Sequence, residues 1–211
     1  MSGGRELFFI VIAVDVVLGP CITFAVFNRR KPLSELRRDL TIVALLQIGG
    51  LAYGLHTVYL VRPVFVALEG TRLRVVRILD LHGVDLKAAP PELQQFPWWG
   101  VTAVAARAVR PEEKNETLQL GLKGRDIGMR PEFWLPRSAT GPAYAQAARP
   151  LSELIRRFPR RGEEIQRAVQ DTGRPAEQLG FLPILARQTN WSALVDVRSG
   201  DVVGYVNIDS F

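Results

Sequence analysis

Few residues of this 211-residue chain have the types and spacing that chemistry requires. Cys21 is the only cysteine, so neither an intramolecular disulfide nor a cysteine-based metal cluster is expected. His56 and His82 lie far apart and lack metal-ligand spacing. The chain has no glycine-rich phosphate loop, no nucleophile elbow, and no acids paired at a spacing typical of acid–base catalysis. The sequence therefore predicts a protein that is not an enzyme and has no cofactor or metal, although a site assembled only in three dimensions stays open.

Asp15 is the acidic side chain whose surroundings are most unusual, because it lies near the middle of an apolar run. A carboxylate that faces lipid there costs several kcal/mol, about 2.5–3.5 on insertion scales, so Asp15 should point at protein. It is either a site for a partner helix or a structural hydrogen bond to Gln47 or Tyr53. Gly19 and Pro20 follow one turn later, and the proline predicts a kink.

Two apolar runs position these residues, 7–27 and 40–60, and each contains 21 residues. As a helix each run spans roughly 30 Å, the thickness of the hydrocarbon core of a bilayer. No Ala-x-Ala cleavage site follows the first run, and Pro20 directly before Cys21 would obstruct lipoprotein processing. Residues 1–61 are therefore predicted to form a transmembrane hairpin with both helices retained.

The segment between the two runs, 28–39, predicts the orientation of the hairpin. It contains five basic residues: Arg29, Arg30, Lys31, Arg37 and Arg38. Short loops rich in lysine and arginine stay in the cytoplasm. Residues 62–211 should then form a domain on the opposite face, in the periplasm of a Gram-negative bacterium.

The second run contains a glycine pattern that lets helices approach closely, Gly50-Leu-Ala-Tyr-Gly54. Its partner is either the first helix of this chain or the helix of another protein. Arg62 and Pro63 mark the membrane-proximal end of the run. The candidate helix-packing residues are Asp15, Gly19, Pro20, Gln47, Gly50, Tyr53 and Gly54.

The rest of the chain predicts an α+β domain. Residues 64–68 and 72–79 indicate a β-hairpin, 162–171 a short helix, and 181–187, 191–197 and 202–208 a three-stranded antiparallel meander. Residues 124–142 are expected to be loop-like. The arginines of 156–161 are interpreted as a solvated face rather than a ligand site.

Residues 86–100 are rich in proline and aromatics and should be irregular. Trp98 and Trp99 within them either dip into the headgroup layer or pack in the core, and together with Trp191 they are candidates for protein contact. The net charge of +6 would admit nucleic acid as a partner. The basic residues of the distal domain are scattered among acids, however, so no nucleic-acid partner is expected.

Several strings resemble the type IV pilin accessory proteins of the TfpX/TfpZ type. In the helical region they are Asp15-Val-Val-Leu-Gly-Pro20, Phe27-Asn28, Ala44-Leu-Leu-Gln47, Ala52-Tyr-Gly54, Val58-Tyr59 and Arg62-Pro63-Val64. Near the other end they are Trp191-Ser-Ala-Leu-Val-Asp196, Gly200-Asp-Val-Val-Gly-Tyr205 and Phe211. The resemblance is strong over 3–70 and 181–211 and weak over 85–175.

The resemblance implies a multi-pass protein of the bacterial inner membrane that assists type IV pilin as an assembly factor or chaperone, without catalysis or cofactor. The implied partners are the major pilin subunit, the pilus assembly machinery and the lipid bilayer. Similar proteins usually have a further apolar helix before the segment that corresponds to Gly3–Leu7, which leaves the side of the native N-terminus open. Two competing interpretations are a membrane-anchored periplasmic sensor or ligand-binding module, and a membrane enzyme.

Overall fold

The structure is a computed structural model that describes residues 9, 12, 13, 17, 19–26, 32–186 and 191–211. The chain divides into two compact units, Ser2–Arg62 and Pro63–Phe211. The first unit is helical, and the second contains a mixed β-sheet with helices.

The helical unit contains α1 (Gly19–Val26) and α2 (Leu33–Val61). Among the described residues, α2 is the one helix long and apolar enough to cross a membrane. Its 29 residues span roughly 44 Å. The first predicted span, 7–27, lies largely outside the described residues, so the transmembrane hairpin stays a prediction.

The start of α2 differs from the sequence prediction, because the helix begins at Leu33 rather than near residue 40. Pro32 precedes it in an extended conformation, and Glu35 lies in the first turn, where a negative charge interacts favourably with the helix dipole. The polar segment 33–39 extends the apolar helix without a break. Arg37 and Arg38, predicted to lie in the loop, are therefore exposed helical residues, while the cytoplasmic position of 28–39 stays a prediction.

The second unit has seven strands among its described residues, and they form one sheet in the order β3-β1-β2-β5-β6-β7, with β4 paired to β5. The strands are β1 (Pro63–Glu69), β2 (Arg72–Arg77), β3 (Thr102–Ala105), β4 (Arg149–Pro150), β5 (Leu179–Leu185), β6 (Trp191–Asp196) and β7 (Val202–Val206). The described α-helices of this unit are α3 (Lys114–Leu122), α4 (Arg137–Ala147), α5 (Leu151–Arg157) and α6 (Gly162–Thr172).

The predicted hairpin and meander are confirmed, since β1–β2 and β5–β6–β7 pair antiparallel. Two parallel pairings join them into one sheet. β3 pairs with β1, and β2 pairs with β5 through Leu73–Ile184 and Arg74–Leu185. Both are long-range pairings between strands that are far apart in the sequence.

Pro183 lies inside β5, although proline cannot donate a ladder hydrogen bond. On one side of β5, β4 pairs with Gly180 and Phe181, and β2 pairs with Ile184 and Leu185. Pro183 lies between these two neighbours, where the ladder on that side is interrupted. The sheet therefore accommodates the missing N–H at the point where β5 changes partner.

The core lies on both faces of the sheet, because successive side chains of β5 and β6 alternate between them. Leu182 and Ile184 pack with Tyr144 of α4 on one face. Leu179 and Phe181 pack on the other face with residues of α5 and α6. Helices on both faces cover the apolar residues of the central strands.

Helix α4 corrects the prediction that 124–142 is loop-like, because it begins at Arg137 and includes Pro142. Tyr144, one of its residues, is completely buried and donates a hydrogen bond from its hydroxyl to the carbonyl of Val66 at 2.8 Å. Burial raises the pKa of this phenol. This hydrogen bond attaches α4 to β1.

Gly141 of α4 lies against Gly200 in the β6–β7 turn. Gly200 has φ +77, and a Cβ atom there would collide with the carbonyl oxygen of Gly141. A Cβ at Gly141 would in turn come 2.5 Å from the carbonyl oxygen of Ser199. The close approach of α4 to this turn therefore requires glycine on both sides.

We predict that Gly200→Ala lowers the free energy of unfolding by about 1–3 kcal/mol more than Gly83→Ala, because only Gly200 adds a backbone collision. Gly83 is a matched control, since its φ is +74 and nothing lies within 4 Å of the added atom. Thermal unfolding of the detergent-solubilised chain, followed by near-ultraviolet circular dichroism, measures both. Equal losses in the two variants would contradict the described contact.

Candidate functional site

The clearest contact between the two helices of the helical unit is a hydrogen bond from Gln47 to Gly19. The side-chain Nε2 of Gln47 donates to the carbonyl oxygen of Gly19 at 3.0 Å. The hydroxyl of Thr23 donates to the same oxygen at 2.9 Å. A Cβ atom at Gly19 would lie 3.2 Å from Gln47 Nε2, so glycine allows the amide to approach.

Gln47 lies at the middle of α2, where an amide without a partner would be costly in hydrocarbon. Hydrogen bonds between membrane helices contribute about 0.6 kcal/mol on average and up to about 1.7. The bond to Gly19 therefore both satisfies the amide and fixes α1 against α2. The two predicted packing residues Gly19 and Gln47 are thus brought together.

The glycines of α2 differ in their surroundings. Gly54 is buried, whereas no described atom lies within 4 Å of a Cβ atom built at Gly49 or Gly50. Gly50 is three residues after Gln47 and so flanks its face of the helix, while Gly49 is two residues after it and faces away. The described packing thus uses one end of the Gly50–Gly54 pattern and leaves Gly50 accessible.

Two other predicted packing residues of the helical unit, Pro20 and Tyr53, are exposed. Pro20 is exposed in the first turn of α1, and Tyr53 is 75% exposed on α2. Asp15, Arg29, Arg30 and Lys31 lie outside the described residues. The hypothesis that Asp15 bonds Gln47 or Tyr53 therefore stays a prediction.

Arg62 forms the junction between the two units. It is the residue after α2, its N–H donates to the carbonyl of Tyr59, and its guanidinium lies 5.9 Å from the ring centroid of Tyr59. Pro63 begins β1 directly afterwards. The membrane-proximal pair predicted from the sequence therefore joins the last helical turn to the first strand.

The three tryptophans proposed for protein contact have different surroundings. Trp98 is 83% exposed and Trp99 is 84% exposed, so the alternative that they pack in the core is wrong. Trp191 is half-buried and packs beside the cluster that contains Leu73 and Ile184. The exposed pair lies just before β3, and we call residues 97–101 the tryptophan tip.

A charged cluster lies at the far end of β1 from Pro63. The carboxylate of Glu69 is buried and pairs with Arg72 at 3.1 Å and Arg74 at 3.2 Å, while the N–H of Gly128 donates to it at 2.8 Å. Asp126 contacts both arginines. These contacts hold the segment after α3 against the β1–β2 turn.

A second cluster places Phe133 between two arginines, and we call it the Phe133 stack. The guanidinium of Arg107 lies 4.4 Å and that of Arg130 lies 4.5 Å from the ring centroid. Arg107 donates to both carboxylate oxygens of Glu113, at 2.8 and 2.7 Å, and this contact lowers the pKa of Glu113 to about 2. Arg130 also reaches Glu116 and Thr117 of α3.

These contacts fix α3 at the periphery of the domain without burying any of its residues. Leu118 is 65% exposed and Leu122 is 82% exposed, and their spacing of four places them on one face of the helix. Lys114, Lys123 and Arg125 lie nearby in the sequence and are exposed. Helix α3 therefore presents an apolar pair among basic residues.

The arginines of 156–161 are exposed, as predicted, but two of them also bind the main chain. Arg157 donates to the carbonyls of Ser210 and Phe211 at 2.9 and 2.7 Å. Arg161 donates to the carbonyl of Asn207 at 2.9 Å. These side chains hold residues 207–211 to the helical face of the domain.

The sequence reasoning missed the buried acids Glu69 and Asp196. The N–H of Arg198 donates to Asp196 at 2.9 Å and lowers the pKa of this carboxylate, with a further contribution from Arg174 at 2.7 Å. An acid at the end of a strand is usually exposed, so the pattern alone gave no signal. Among the described residues no group of three or more histidine, cysteine or acidic side chains is placed to hold a metal.

One long apolar helix followed by a mixed-sheet domain fits a membrane-anchored protein. Two curated relatives from Dichelobacter nodosus are similar over the whole chain and over 83% of their own length: "Fimbrial assembly protein, serogroup I" at 31% identity and "Fimbrial assembly protein, serogroup E1" at 30%. A third, "Fimbrial assembly protein, serogroups C1 and C2", is 35% identical over 43% of this chain and 66% of its own. No family model and no solved structure matches.

The chain therefore belongs to the family of fimbrial assembly proteins. This membership confirms the resemblance to the type IV pilin accessory proteins. The similarity to the first two relatives also covers residues 85–175, where the sequence strings alone gave a weak resemblance.

We predict that Gln47→Leu accelerates amide hydrogen exchange in Gly19–Val26 by about 3- to 20-fold, the opening expected from losing about 0.6–1.7 kcal/mol. Hydrogen-exchange mass spectrometry in nanodiscs measures this rate. Leu46→Met is the matched control, because Leu46 is 71% exposed on α2 and its replacement removes no described hydrogen bond. Unchanged exchange in Gln47→Leu would show that the amide does not hold α1.

Proposed function

We propose that this protein is a non-catalytic accessory factor of the bacterial inner membrane that assists type IV pilin during pilus assembly. The observation that carries the proposal is the similarity over the whole chain to two proteins named fimbrial assembly proteins. The similarity includes both the helical unit and the sheet domain, so the proposal assigns a role to each.

The helical unit supplies a surface for the membrane helix of a pilin subunit. Gln47 and Gly54 are engaged within the unit, whereas Gly50 flanks the same face and is accessible. A glycine at that position lets a second backbone approach closely, which is how helices associate in lipid. Asp15, predicted in the middle of the first span, supplies a polar partner for the same helix.

The sheet domain supplies a surface for the pilin head. Helix α3 is the preferred part of that surface, because Leu118 and Leu122 are exposed together on a helix that contributes no residue to the two described core clusters. The Phe133 stack and the Arg107–Glu113 pair hold this helix in place. The rigid mounting favours docking, because little conformational freedom is lost on binding.

The proposed topology places the sheet domain in the periplasm, where pilin heads wait before assembly. It is supported by the five basic residues of 28–39, of which Arg37 and Arg38 are exposed at the start of α2. The two membrane spans of this topology remain part of the proposal.

We predict that Gly50→Leu and Asp15→Ala reduce surface piliation at least several-fold while the variants remain in the membrane. A leucine at position 50 would occupy the approach path of the pilin helix, and alanine at 15 would remove the polar partner. Sheared pili are measured by immunoblotting against total pilin, and variant levels are measured in the membrane fraction.

Gly49→Leu is the matched control, because it makes the same change one residue earlier, about 100° around α2 and turned away from Gln47. It should leave piliation near the wild-type level. Normal piliation in both Gly50→Leu and Asp15→Ala would remove the helix part of the proposal. Normal piliation in a strain that lacks the whole protein would favour the competing interpretation, a periplasmic sensor or ligand-binding module.

A further inference from the structure

Three strands have an end at the edge of the sheet where the helical unit leads into β1. β1 begins there at Pro63. β2 ends there, because Arg77 pairs with Pro63. β3 begins there, because Thr102 pairs with Phe65, two residues after Pro63. The tryptophan tip, which directly precedes β3, therefore lies at this edge.

The covalent chain limits how far this edge can be from the end of α2. Arg62 alone separates Val61, the last residue of α2, from Pro63. Consecutive Cα atoms are 3.8 Å apart, so the Cα atoms of Val61 and Pro63 are at most about 7.6 Å apart. β3 is the direct neighbour of β1, and neighbouring strands lie about 4.8 Å apart, so the beginning of β3 is close to the beginning of β1.

Exposed apolar side chains are concentrated at this edge. They are Leu79 in the turn after β2, and Trp98, Trp99 and Val101 in the tryptophan tip. Both tryptophans are more than four-fifths exposed although they are consecutive in the sequence. A flat protein surface covers one side of such a tip, whereas a fluid headgroup layer can surround it.

We propose that the tryptophan tip inserts into the phospholipid headgroup layer of the membrane that holds α2. Tryptophan is enriched at this depth because its ring is apolar and its indole N–H finds polar partners there. The tip would thus be a second attachment that holds the β1–β3 edge of the domain at the membrane.

The opposite end of β1 has a different character, which supports a directional arrangement. Buried Glu69 and its partners Arg72 and Arg74 lie there, in an ion network unsuited to an apolar layer. The half-buried Trp191 also lies at that level, because it pairs with Ile184, which pairs with Leu73, which pairs with Leu68. Trp98 and Trp99 should therefore contact lipid, and Trp191 should not.

The test uses the full chain reconstituted without pilin into phosphatidylcholine–phosphatidylglycerol vesicles, with the lipids brominated near the top of the acyl chains. Two of the four tryptophans are in the tip, so bromolipid should quench about half of the emission. Quenching should fall to background in W98F/W99F. In Trp191→Phe, the matched control, the quenched emission should persist unchanged.

Two outcomes would overturn the proposal. One is full accessibility of Trp98 and Trp99 to aqueous acrylamide in vesicles together with no difference in bromolipid quenching between the wild type and W98F/W99F. The other is quenching that disappears in Trp191→Phe and persists in W98F/W99F. Because the vesicles contain no pilin, either result leaves the proposed role in pilus assembly to its own experiment.

Discussion

The junction at Arg62 is the constraint on which the arrangement of this protein depends. A single residue joins a 29-residue apolar helix to the strand that pairs with both β2 and β3. There is no flexible linker of the kind that separates independent domains. The beginning of β1 is therefore tied directly to the end of α2, and the end of β2 and the beginning of β3 lie beside it in the sheet. The lipid contact proposed for the tryptophan tip follows from this constraint.

The same constraint separates the two proposed roles in space along β1. The edge at Pro63 carries exposed apolar and aromatic side chains suited to lipid. The end at Glu69 carries an ion network, and α3 is held near it through the Phe133 stack. Within the sheet domain, the proposed docking helix and the tryptophan tip therefore lie toward opposite ends of β1.

Much of the sheet domain could be predicted from sequence because its elements are local. The β1–β2 hairpin and the β5–β7 meander follow from apolar runs of strand length separated by turns with Gly70 and Gly200. The parallel pairings of β3 with β1 and of β2 with β5 could not be predicted, because each joins strands that are distant in the sequence. The first turns of helix α4 were missed because Pro142 indicates a loop, and the hydrogen bond of Tyr144 to β1 is a tertiary contact that the sequence does not show.

The helical unit shows the same division between local pattern and tertiary contact. Apolar length predicts α2, but hydropathy places its start too late because 33–39 is polar and still helical. Gly19 and Gln47 could be selected as packing residues from their types alone. Their mutual hydrogen bond depends on the register of two helices, which the sequence does not specify.

Direct contact between α2 and pilin underlies the proposed role of the helical unit, and site-specific photo-crosslinking in native membranes detects it. Benzoylphenylalanine replaces Tyr53, which is 75% exposed one turn after Gly50, in one strain and Ile48, which is 64% exposed on the other side of α2, in another. Gly50 itself is left unchanged so that a helix can still approach it, and the products are probed with antibodies against pilin after irradiation. We expect a pilin adduct from position 53 and little or none from position 48. Equal adducts from both positions, or none from position 53 in a protein fully integrated in the membrane, would show that pilin does not dock on this face of α2.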